Sequence, residues 1–121
     1  MMVSTVVNLT PHAITLVSGD WETTVTIPSS GVVRVEQTAR TVDMVTIADG
    51  EHTIAMPVLA TTFGAITGLP PAVPDTIYIV SLIAAQRIRV EHPERNDVFV
   101  VADTVRDNDG RIVGARALAR V

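Results

Sequence analysis

Short β-branched runs bounded by Gly, Pro, Asp and Asn turn signals make up most of this chain, and one unbroken apolar stretch organises the rest. Thr76-Ile77-Tyr78-Ile79-Val80-Ser81 is an apolar run with four β-branched residues and one aromatic, a pattern that predicts a strand buried on both faces. It passes directly into Leu82-Ile83-Ala84-Ala85-Gln86-Arg87. Ser81 is placed to cap a short helix there, since its hydroxyl can accept an amide proton that the first helical turn leaves unpaired.

Before this centre the strand signals are shorter. Residues 2–7 form a β-branched run that Pro11 ends, and residues 13–18 resume it. After the turn at Gly19-Asp20, Trp21, Thr23, Val25 and Ile27 share one phase and Glu22, Thr24 and Thr26 the other, which predicts a strand with one buried and one wet face. Pro28-Ser29-Ser30-Gly31 is a further turn, residues 32–36 a further strand, and residues 39–43 read as a loop. Residues 44–48 and 52–60 flank Asp49-Gly50 and predict a β-hairpin; Pro57 makes its second arm an edge or bulged strand, and residues 61–68 could continue it. Leu69-Pro70-Pro71-Ala72-Val73-Pro74-Asp75 is a stiff connector into the central strand. Residues 98–102 and 112–115 form a last strand pair around the turn Asp107-Asn108-Asp109-Gly110. The pattern predicts one mainly β domain over residues 1–121, an antiparallel sandwich or small barrel of roughly seven to nine short strands with one short helix after the central strand.

Composition narrows the class. Hydrophobic content of 47% with 18% charged residues is globular. There are no cysteines, so disulfides and thiolate metal sites are excluded. No signal peptide is evident, and no apolar run reaches the roughly 18 residues of a membrane helix, so a cytoplasmic protein with no membrane partner is expected. A net charge of −4 and a pI of about 5.2 argue against a bulk nucleic-acid binder, which needs a basic footprint. All nine basic residues are arginine. A guanidinium suits bidentate recognition of phosphate or carboxylate, although a chain-wide bias toward arginine says little about any one position.

Candidate chemistry collects behind the helix, at Arg87, Arg89, His92, Glu94, Arg95, Asn96 and Asp97. Arg87, Arg95, Asn96 and Arg106, with Thr10 and His12, are the candidate ligand-binding residues for a small anion held by charge-assisted hydrogen bonds; internal ion pairs such as Arg95 with Asp97 are the competing explanation. His12, His52 and His92 match no metal motif, and no metal or cofactor is expected. Asp107-Asn108-Asp109-Gly110 has the oxygens of a calcium loop but lacks its terminal Glu, and a hairpin turn explains it. Ser81 lacks the flanking glycines of a nucleophile elbow. No phosphate-binding glycine loop is present.

Asn8-Leu9-Thr10-Pro11-His12, Pro28-Ser29-Ser30-Gly31 with Arg34, Gly68-Leu69-Pro70, Tyr78-Ile79-Val80-Ser81, and Val105-Arg106-Asp107 with Gly110 and Gly114 together resemble a group of small proteins encoded by phages and prophages. The resemblance spans nearly the whole chain and implies a setting rather than a catalytic mechanism. Together with the absence of a catalytic constellation and the arginine-bearing segment behind the central strand, that setting leads us to expect a non-enzymatic, homo-oligomeric accessory protein that binds a small anionic, nucleotide-like ligand and so sequesters a host defence signal. The alternative is an interaction module whose edge strand or apolar face docks on a phage or host protein, in keeping with a mean hydropathy of +0.37 and no lysines to guard edges. A small hydrolase using His12 or His92 with Asp97 is a third possibility, without an activated nucleophile to support it.

Overall fold

The computed structural model describes residues 2–121. Eight strands and one helix follow in the order β1 (Thr5–Asn8), β2 (Ile14–Val17), β3 (Thr24–Ile27), β4 (Arg34–Asp49), β5 (His52–Thr67), β6 (Thr76–Ile79), α1 (Leu82–Glu91), β7 (Val98–Arg106) and β8 (Ile112–Ala119). Six strands form one sheet in the order β1-β6-β7-β8-β2-β3, while β4 and β5 form a separate two-stranded ribbon. The edge strands β1 and β3 meet at a bridge between Asn8 and Ser29, so the sheet is a nearly closed barrel. The chain is mainly β with one short helix, as its sequence pattern predicts.

β6 is the middle of the buried layer. It pairs in parallel with β1 and with β7, and Ile77, Tyr78, Ile79 and Val80 are all buried. Tyr78 and Val80 face α1 in a cluster with Leu9, Val33, Ala84, Ala85 and Ile88. By alternation Ile77 and Ile79 lie on the opposite face of the sheet. Ser81 caps α1, its hydroxyl accepting from the Ala84 amide at 3.4 Å. Pro93, one residue past the C-cap His92, cannot continue the helix.

Three expectations need correction. Pairing is mixed: β2 with β3, β7 with β8 and β4 with β5 are antiparallel, whereas β1 with β6, β6 with β7 and β2 with β8 are parallel. For β6 and β7 the cause is the connection through α1, since a helical crossover returns the chain in the same direction, while β1–β6 and β2–β8 join strands far apart in the chain. The strand at residues 21–27 begins only at Thr24 and has no buried face. Ser18, Asp20 and Thr23 close a tight turn before it, and Val25 and Trp21 are exposed because β3 is an edge strand with no layer over it. Residues 39–43 are not a loop but part of β4, and the hairpin runs for 16 residues in each arm.

Candidate functional site

The residues expected to bind an anion occupy four places. Thr10 and His12 belong to the turn after β1, where they serve Asn8. That side chain is fully buried and uses its whole hydrogen-bonding capacity. Its Nδ2 donates to the carbonyls of His12 (2.8 Å) and Ile27 (3.0 Å), and its Oδ1 accepts from the Thr10 amide (3.0 Å) and hydroxyl (2.6 Å). The bond to Ile27 reaches from β1 to β3, so this hub closes the barrel seam.

Arg87 lies on α1 with Glu91 one turn on, at 3.5 Å. Arg95 forks onto Asp97 through two hydrogen bonds of 2.8 and 3.0 Å, with 13% and 11% of the two side chains exposed. The bond from Asp97, opposed by burial, raises the Arg95 pKa above the ordinary arginine value. A basic group whose pKa rises on folding contributes fully at all pH values below its unfolded value, so the Arg95 side of this pair stays charged from neutral pH down through acid. Arg106 donates to the Gly110 carbonyl at 2.7 Å and ties its own hairpin.

Of the six residues, only Arg95 and Asn96 line one cleft. It holds about 100 Å3 between α1, Pro93 and Val121, small beside the roughly 300 Å3 or more of ordinary ligand pockets. Arg89 and Arg120 also line it, but Arg89 donates to the Val121 carbonyl and Arg120 to that of Asn96. A larger cleft, about 340 Å3 at the end of β6, includes Thr10 and is otherwise lined mainly by Ile14, Ile79, Val80 and Leu82, with no basic residue. The arginines have a different use. Arg95, Arg116 and Arg120 lie over Tyr78, Trp21 and Phe99 at 5.8, 4.1 and 5.0 Å, covering aromatic faces with planar cations.

The feature that stands out from the body is the β4–β5 ribbon. At about 3.3 Å per residue, each 16-residue arm is about 50 Å long. Only its base packs: Val35 and Ile66 join the cluster under α1, and the Ile66 amide donates to Glu91. Beyond that, Val42, Met44, Val45, Ile47, Ile54, Met56, Val58, Leu59 and Phe63 are all exposed, Ile54 by 53% and Met44 by 54%. Register assigns their faces. Val45 pairs with Met56 and Ile47 with Ile54, so these four and Val58 share one face, while Thr46 with Ala55 and Ala48 with Thr53 occupy the other. A shift between Thr41 and Asp43 leaves Val42 bulged, opposite the region of Pro57. The turn is Gly50-Glu51, with Gly50 at φ 59 as a two-residue hairpin loop requires.

This long apolar ribbon escaped the sequence reading in its length, not its existence. Asp49-Gly50 marked its tip. The further signal was charge: between Glu51 and Asp75 no Asp, Glu, Lys or Arg occurs. No protein-family model, curated protein or solved structure matches the chain.

Proposed function

We propose that the chain is a protein-interaction module that works through the β4–β5 ribbon, in the phage or prophage setting its sequence resembles. The observation that carries this reading is a ribbon whose large apolar side chains stand about half exposed, Val45, Ile47, Ile54, Met56 and Val58 along one face and Met44, Leu59 and Phe63 on the other. A two-stranded hairpin is marginal in water by itself, and monomeric proteins seldom leave so large an apolar patch bare. Covering it removes both costs. The sequestration of a nucleotide-like anion finds less support, because the guanidinium groups of Arg87, Arg95 and Arg106 are each engaged within the chain.

A photo-cross-linking residue in place of Ile54, introduced in cells that carry the encoding genome, tests the proposal. A discrete protein adduct is expected from position 54, and none from Thr24, an exposed position on β3. If position 54 cross-links no more than position 24, the ribbon is not an interaction surface.

A further inference from the structure

We infer that the protein covering the ribbon is a second copy of this chain, its ribbon laid antiparallel and face to face on the first. The inference rests on the ribbon being an interaction surface and adds the identity of the occupant.

Area is the first argument. Val45, Ile47, Ile54, Met56 and Val58 stand 38–53% exposed on one face, a row of large apolar side chains that supplies the centre of an interface to which each partner ordinarily gives roughly 800 Å2. Two identical ribbons supply both sides. Pairing edge to edge would satisfy backbone groups but leave Val45, Ile47, Ile54 and Met56 in water; only face-to-face packing removes them.

The charges supply the second argument. Along β5, Ala60, Val58, Met56, Ile54 and His52 alternate onto the apolar face, and their β4 partners place Arg40 opposite Ala60 and Asp49 opposite His52. The apolar face is therefore bounded by a cation toward the base and an anion at the tip. Met56 lies midway between the two, opposite Val45. A two-fold axis through this pair sets Arg40 of each copy against Asp49 of the other, with the aliphatic side chains between. Parallel ribbons would instead set like charges together. Among the described residues neither Arg40 nor Asp49 has an ion-pair partner within its own chain. Asp43, on the same face, is turned back to accept from the Met44 amide at 2.8 Å.

Sedimentation of the full chain across roughly 1–100 μM tests the arrangement. A dimer is expected, reduced to monomer by Ile54→Asp. Arg40→Asp or Asp49→Arg alone should weaken it by about tenfold or more, and the two reversals together should restore it. Near-ultraviolet circular dichroism checks that each variant keeps its fold. As a second measurement that needs no charge reversal and keeps one of the two ion pairs in the mixed dimer, Arg40→Cys and Asp49→Cys chains are mixed under mild oxidation. The chain has no other cysteine, and a disulfide should join the two kinds of chain faster than either kind to itself. A wild-type monomer at 100 μM, a dimer indifferent to Ile54→Asp, or charge reversals that do not compensate would overturn the second copy as occupant. If the position-54 cross-linker still captured a different protein, the ribbon would remain an interaction surface; if it captured nothing, both readings would fall.

Discussion

Asn8 is the residue on which the barrel most depends, and its role is hidden in the alphabet of the sequence. It stands in Asn-Leu-Thr-Pro-His, where Thr10 and His12 have the residue types of anion ligands and Asn8 carries no distinguishing signal; the structure turns both neighbours to the Asn8 amide. The bond to Ile27, from nineteen positions further along, depends on strands meeting across a seam and leaves no trace in spacing. Asn8→Leu removes all four bonds and takes their partner from the Ile27 carbonyl and the Thr10 amide, so a loss of about 3 kcal/mol in urea unfolding is expected. A loss below about 1 kcal/mol would mean that the seam is held elsewhere. The arginines were read as ligand-seeking because their type suits anions. Each is spent on a neighbour that sequence adjacency partly announced, as with Asp97 two residues after Arg95.

Elements were legible where the signal was local. The step from β6 through Ser81 to α1 follows from one apolar run and one cap, and the last hairpin from its Asp-Asn-Asp-Gly turn. Buried faces were harder, because alternation shows that a strand has two faces and not that anything covers them; β3 and the ribbon both look half-buried and are bare. What aims the ribbon is Gly68, where β5 ends. Its φ is 91°, and a Cβ there would stand 2.8 Å from the Val32 carbonyl oxygen. Gly68→Ala combines a left-handed strain of about 1 kcal/mol or more with a backbone clash. We expect it to lower the thermal midpoint by at least about 5 °C. A midpoint within 2 °C of the parent would show that the strand exit is free to adjust.

At the scale of the molecule the chain divides into a body with a core and a ribbon without one. No residue between 42 and 58 belongs to the core cluster. Replacing residues 42–58 by Asn-Gly, which joins the paired Thr41 and Leu59 through a short turn, should leave cooperative unfolding intact. Its midpoint is expected within about 5 °C of the monomeric Ile54→Asp variant. Loss of cooperativity would show that the body needs the ribbon. The long-range pairing also sets an order of events during synthesis. β2 must wait for β8, since Leu16 pairs with Ala115, and β1 must wait for β6. The ribbon needs only its own turn, and hairpins close in about 1–10 μs. At roughly 5–20 residues per second, translation exposes both apolar arms of the ribbon seconds before the barrel can close. Neighbouring nascent chains on one messenger then carry matching arms at high local concentration, and if two copies pair as we propose, the polysome is where that pairing starts.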